Sequence, residues 1–109
     1  STARNFALSK LASSRFDQGR YDQARVHLEE LVKIERTEIS LMLLGICHEH
    51  SGNLPEAVRL VNAAILDSPY RADLHRHLAE LYRRMGKSDD AVRQLQLSEL
   101  LRSKVPQPN

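Results

Sequence analysis

The chain has 109 residues and a formal net charge of +2 at pH 7, from 16 Lys and Arg against 14 Asp and Glu. This length fits one domain, and so small a net charge argues against a nucleic-acid partner. A single cysteine, Cys47, excludes an internal disulfide, and we expect it to be a small buried residue. The longest apolar runs are too short to span a membrane.

The residues leave the cellular compartment open. No signal peptide is visible, which favours a cytoplasmic location. The chain begins with Ser1 rather than Met, so a soluble domain of a longer or exported protein is the alternative.

Apolar residues at steps of three and four predict six helices, near residues 5–17, 22–35, 38–51, 55–67, 72–85 and 89–103. Gly19, Gly52 and Gly86 separate the two helices of three successive pairs, where a tight turn requires a positive φ. We expect Asn53 and Ser88 to be the N-caps of the helices that follow them. The prediction is an all-α fold without strands.

The same short pattern recurs along the chain. The segments QGRYDQA (18–24), SGNLPEA (51–57) and MGKSDDA (85–91) start 33 and 34 residues apart. A period in this range is typical of arrays of helix–turn–helix units.

These segments resemble the tetratricopeptide repeat family. Each unit has a leucine–small pair before the glycine and an apolar residue four positions after the alanine. The pairs are Leu11-Ala12, Leu44-Gly45 and Leu78-Ala79, and the apolar residues are Leu28, Val61 and Leu95. The resemblance implies a right-handed superhelical stack of three units, about 5–37, 38–71 and 72–103, in a domain of residues 1–103. Residues 104–109 contain two prolines and are expected to be a disordered tail or linker.

No constellation of residues indicates catalysis or metal binding. His48 and His50, like His75 and His77, are two residues apart, which on a helix points the side chains about 200° apart. We expect His48 or His75 to fill an inter-helix position that an aromatic residue usually takes in this family. No nucleophile–base arrangement and no phosphate-binding glycine loop is present. We therefore expect a protein that is not an enzyme, with no cofactor and no metal.

The first helices of successive repeats line a concave groove in this family. The corresponding residues are Phe6, Ser9, Lys10, Ser13, Phe16 and Asp17; then Ile39, Met42, Leu43, Ile46, Glu49 and His50; then Asp73, Arg76, His77, Glu80, Arg83 and Arg84. From these we predict partner-binding residues of two kinds: the apolar Phe6, Ile39, Met42, Leu43 and Ile46, and a basic end of Arg76, His77, Arg83 and Arg84.

Both parts of this surface have two interpretations. A contiguous apolar area is rarely left exposed, so either another helix or a second copy covers the apolar part, or a partner's apolar peptide or helix does. The basic end is either a solvated face, in which Glu80 pairs with Arg76, Arg83 or Arg84, or a site for acidic residues or a C-terminal carboxylate of the partner.

The expected function is a non-catalytic protein–protein interaction module that binds a partner peptide or helix in its concave groove. Secretion-type chaperones are one family example that resembles this apolar-groove arrangement. The alternative is a self-associating scaffold, a homodimer through the groove or the terminal helix, or a segment of a longer array. The last helix supports this alternative, because Leu97, Leu100 and Leu101 are apolar although the outer face of a terminal helix should be polar.

Overall fold

A computed structural model describes residues 2–108, and the helices are α1 (Thr2–Asp17), α2 (Tyr21–Ile34), α3 (Glu38–His50), α4 (Leu54–Asp67), α5 (Ala72–Arg84) and α6 (Ser88–Lys104). This part of the chain contains no strand, so the predicted all-α fold is confirmed. Only the start of α1 differs from its predicted bound by more than one residue. Ser1 and Asn109, the outer ends of the predicted domain and tail, lie outside the described residues.

Left-handed glycines make the turns within the three helix pairs. Gly19, Gly52 and Gly86 have φ values of 74°, 84° and 77°. A residue with a Cβ is strained in this region, whereas glycine is not. The predicted role of the three glycines is therefore confirmed.

The helix caps agree with the sequence in part. The side chain of Asn53 accepts a hydrogen bond from a backbone N–H in the first turn of α4, as predicted. The prediction for Ser88 is wrong, because Lys87 is the N-cap and Ser88 is already the first residue of α6. Thr37 and Ser40 form a capping box at the start of α3, in which each side chain accepts from the other residue's backbone N–H.

Small residues bring α3 and α4 into close contact. Ala57 of α4 is fully buried. A Cβ placed on Gly45 of α3 would lie 3.5 Å from the carbonyl oxygen of Ala57 and 3.4 Å from Cγ2 of Val61. The two backbones are therefore nearly as close as a single methyl group allows.

The apolar core continues from one helix pair to the next. One cluster contains Ala12, Ala24, Leu28, Leu41, Leu44, Cys47, Leu60, Ala64 and Leu74, and a second contains Ala57, Val61, Leu78 and Leu81. Each cluster takes residues from more than one pair, so each unit buries its apolar faces on its neighbours.

Two core residues, His75 and Cys47, test predictions made for single side chains. His75 is buried, with Nδ1 2.9 Å from Oε1 of Gln94 and Nε2 2.8 Å from the carbonyl oxygen of Pro69. This confirms His75 as an inter-helix residue, in which each ring nitrogen lies within hydrogen-bonding distance of an oxygen atom. Cys47 is buried as expected.

The end of the chain lies beside the start of α5. Oε1 of Gln107 accepts a hydrogen bond of 2.7 Å from the backbone N–H of Ala72, and its Nε2 donates to the carbonyl oxygen of Tyr70 at 3.1 Å. The disordered state predicted for residues 104–109 stays a prediction. On α6, Leu97 and Leu100 are exposed, but Leu101 is buried, so the expectation that all three face outward is wrong for Leu101.

Replacing Ala57 by phenylalanine should lower the free energy of unfolding by roughly 1–3 kcal/mol or more, because the ring has no space between α3 and α4. Denaturant unfolding followed by circular dichroism measures this change. The exposed Asn62 on the same helix provides the control, since Asn62→Phe should have little effect. Equal stability of the two variants would contradict the close contact.

The thiol of Cys47 should react slowly in the folded protein. Burial raises the pKa of this thiol from 9.0 to about 11, and the thiolate is the reactive form. Labelling at neutral pH should therefore be much slower in the native state than in denaturant. Because the folded pKa exceeds the unfolded one, the stability that this group contributes is complete below pH 9.0 and is lost towards about pH 11. Cys47→Ala should remove that part of the pH dependence.

Candidate protein-binding surfaces

The predicted apolar residues with the most exposed side chains border a recess between α1 and α3. Phe6 is 64% exposed and lines a cavity of about 340 Å³. Ile39 is 55% exposed and lines, with Leu43, an adjoining cavity of about 90 Å³. Both cavities are also lined by Ser9, Leu31 and Thr37. They therefore form one depression, which we call the α1–α3 recess.

The other predicted apolar residues are less accessible. Met42 and Leu43 are half-buried and pack against the first core cluster, and Ile46 is half-buried as well. Part of the apolar character of α3 thus serves the packing of this molecule. The assignment of these residues to a partner site stays a prediction.

Several lining residues were absent from the predicted site. Leu31 and Glu35 come from the end of α2, and Thr37 comes from the turn before α3. The sequence argument considered only the first helix of each unit and so passed over them. The sequence did indicate the position of Thr37, because a threonine directly before a helix is a typical N-cap. As the N-cap of α3, Thr37 lies beside Ile39.

Most of the predicted basic end is already paired. The carboxylate of Glu49, only 17% exposed, lies 2.9 Å from Nε2 of His77 and accepts a 2.7 Å hydrogen bond from Nη1 of Arg84. Arg83 donates to Glu80 at 2.6 and 3.0 Å. This hydrogen bonding lowers the pKa of the Glu80 carboxyl. The pairing of Glu80 is confirmed for Arg83, whereas the partner of Arg84 is Glu49 on a different repeat.

Arg76 forms no salt bridge with any residue from 2 to 108. It borders an apolar trough of about 410 Å³ between α5 and α6, which we call the end face. Its lining includes Ala79, Glu80 and Arg83 of α5 and Ala91, Val92 and Leu95 of α6. Arg76 also lines a smaller depression of about 150 Å³ with Arg102 and Gln107.

The structure therefore divides the predicted site between two surfaces. Phe6, Ile39 and Leu43 meet in the α1–α3 recess, whereas Arg76 and Arg83 border the end face. None of the lining residues is common to these two surfaces.

The described range also bears on metal clusters and membrane-spanning helices. Residues 2–108 contain no group of three or more His, Cys, Asp or Glu side chains placed to hold a metal ion. In the same range, no helix combines the length and the apolar character needed to cross a bilayer.

Two models of the tetratricopeptide repeat match the chain, one over residues 9–73 and the other over residues 72–96. A comparison with curated protein sequences gives no match.

Solved structures share the fold at low sequence identity. MamA MSR-1 C2 is 19% identical with a TM-score of 0.88 over 94% of this chain, which spans 59% of the MamA chain. SycD of Yersinia enterocolitica, in complex with a peptide of the translocator YopD, is 20% identical with a TM-score of 0.89, over 97% of this chain and 82% of SycD. PcrH in complex with the chaperone binding region of PopB is 20% identical with a TM-score of 0.88, over 97% of this chain and 86% of PcrH.

Glu49→Gln should destabilise the stack, because the half-buried imidazole of His77 and the guanidinium of Arg84 lose their carboxylate partner. A hydrogen bond to a charged group contributes roughly 1.5–3 kcal/mol, and we expect a loss in this range from denaturant unfolding. Glu80→Gln is the matched control, since its carboxylate pairs with Arg83 at the surface and should contribute little. If both variants unfold at the same denaturant concentration as the parent protein, Glu49 does not hold α3 and α5 together.

Proposed function

Because the chain belongs to the tetratricopeptide repeat family, we propose that it is a non-catalytic protein–protein interaction module that binds an apolar peptide or helix in the α1–α3 recess and the adjoining inner surface. The observation that carries this proposal is the pair Phe6 and Ile39, two large apolar side chains left in water at the edges of a recess. Such apolar groups around a concavity are typical of an interaction site.

The recess offers both affinity and orientation. Apolar partner groups placed against Phe6, Leu31 and Ile39 would be removed from water at about 25 cal/mol per Å², less the cost of ordering the partner. The side chains of Glu35 and Thr37 at the edge supply polar groups that can fix its direction. SycD with its YopD peptide and PcrH with its PopB region support the proposal, as proteins of the same fold that hold peptide segments.

The basic residues contribute unequally to this proposal. Binding an acidic partner residue at His77 or Arg84 requires competition with Glu49, and at Arg83 with Glu80. Arg76 has no such competitor within residues 2–108 and is the cation best able to steer an acidic segment.

Self-association is the second candidate function, and the exposed Leu97 and Leu100 on α6 favour it. A related solved structure is described as an alternative dimer of SycD. Sedimentation over a range of concentrations separates this candidate from a monomeric peptide receptor, because only self-association depends on protein concentration.

Ile39→Glu should abolish partner binding while leaving the fold intact. Peptides selected against the parent protein from a displayed library should be rich in apolar residues, and their affinity for Ile39→Glu should fall by about tenfold or more, since binding would desolvate an unpaired carboxylate. Titration calorimetry measures the affinities. Ile39 is preferable to Leu43 for this test because Leu43 packs against the core, so Leu43→Glu would also destabilise the protein.

Val26 provides the matched control, because it is 58% exposed on α2 and lines none of the cavities described above. Val26→Glu should therefore bind the selected peptides like the parent protein. Equal binding by Ile39→Glu and Val26→Glu would place the function elsewhere on the molecule. Arg76→Ala should lower the affinity only for peptides that carry acidic residues, and this loss should be smaller at high salt.

A further inference from the structure

The end face repeats a surface that the first two units bury. Leu28, Val61 and Leu95 occupy the same position of their units, but they are 1%, 0% and 43% exposed. Leu28 shares a core cluster with residues of α3, and Val61 shares one with residues of α5. No described helix follows α6, so Leu95 keeps the exposure that its two counterparts lose.

The shape of the end face fits a helix. Ala79 and Ala91 are buried at its floor, and the exposed Val92 and Leu95 form its apolar part. Ala79 and Ala91 correspond to Gly45 and Ala57, the small residues that bring the two helices of a unit together. Their short side chains leave the trough between α5 and α6 open to the side chains of an occupant.

The internal repeat specifies the apolar pattern of the occupant. Three leucines of α5 pack into the core clusters, and we call them the apolar stripe of α5. They are Leu74, Leu78 and Leu81, at positions i, i+4 and i+7. The corresponding residues of α1 are Ala7, Leu11 and Ser14. Because α1 offers only one large apolar side chain in this stripe, a second copy stacked head to tail is a poor occupant.

The internal repeat also specifies the charges. Glu49 of α3 holds His77 and Arg84 of the following first helix. The residue of α5 that corresponds to Glu49 is Arg83, so the charge at this point is inverted on the end face. An occupant that packs on the end face as α5 packs on the second unit must therefore carry carboxylates at the positions that His77 and Arg84 occupy in α5. Arg76 at the border adds positive charge, which also disfavours a two-fold contact of the end face with itself.

We propose that the end face binds an amphipathic α-helix of another protein, with leucine-like residues at i, i+4 and i+7 and carboxylates at i+3 and i+10. This site is separate from the α1–α3 recess. Its affinity comes from burying Val92 and Leu95. Its charge selectivity comes from Arg83, which must exchange its present partner Glu80 for the carboxylate of the occupant.

Two synthetic peptides of residues 70–85 serve as probes, one with the native sequence and one with His77→Glu and Arg84→Glu. Both carry a hydrocarbon staple, because helices of this length are marginal in water. In fluorescence anisotropy, the acidic peptide should bind the parent protein at least about tenfold more tightly than the native peptide, as expected for a close charge pair. Arg83→Glu in the protein should reverse this preference.

Leu95→Glu should lower the affinity for the acidic peptide by about tenfold or more, since binding would desolvate an unpaired carboxylate. Leu66→Glu is the control, because Leu66 is 81% exposed on α4 and lines none of the cavities described above. Ile39→Glu should leave the peptide bound, which separates this test from that of the recess.

Three results would overturn the proposal. The first is no binding of either peptide, and the second is an equal loss in Leu95→Glu and Leu66→Glu. The third is a parent dimer in sedimentation that Leu95→Glu converts to monomer, because a second copy would then cover the end face.

Discussion

The close contact between small residues within each helix pair is the constraint on which the rest of the structure depends. Ala57 has no exposed surface, and Gly45 leaves space for little more than one methyl group against α4. With the two backbones this close, the larger side chains can interdigitate on either side at the density of a protein interior. The left-handed glycine at each turn then returns the chain at the required distance.

The contacts between units connect the first helices directly. Glu38 of α3 accepts a 3.0 Å hydrogen bond from Arg71, and Glu49 near the other end of α3 holds His77 and Arg84. These half-buried carboxylates lie at both ends of the interface between α3 and α5. They therefore fix the register of α3 relative to α5, the two helices that carry most of the predicted groove residues. A surface with a fixed register is preorganised for binding.

The two ends of the stack differ in a way that bears on function. At the start of the stack, the residues of α1 that correspond to the apolar stripe of α5 are Ala7, Leu11 and Ser14. All three are exposed, and only Leu11 is large and apolar. The opposite end exposes Val92 and Leu95 above buried alanines. A repeat array must normally protect its terminal apolar faces from water. The asymmetry gives the molecule two surfaces of different chemistry, one around α1 and α3 and the other around α5 and α6.

The sequence by itself determined the six helices, the glycine turns and the burial of Cys47, because these follow from local periodicity and residue preference. The family resemblance added His75 as one of two candidates for an inter-helix position. Tertiary structure alone decided the pairing of Glu49, whose partners are 28 and 35 residues away. It also decided which apolar residues of the inner surface stay exposed, and it brought Leu31 and Thr37 into the recess. Leu28 and Leu95 look alike in the sequence and differ in the structure, because exposure depends on which helix covers a side chain, and no local pattern encodes that.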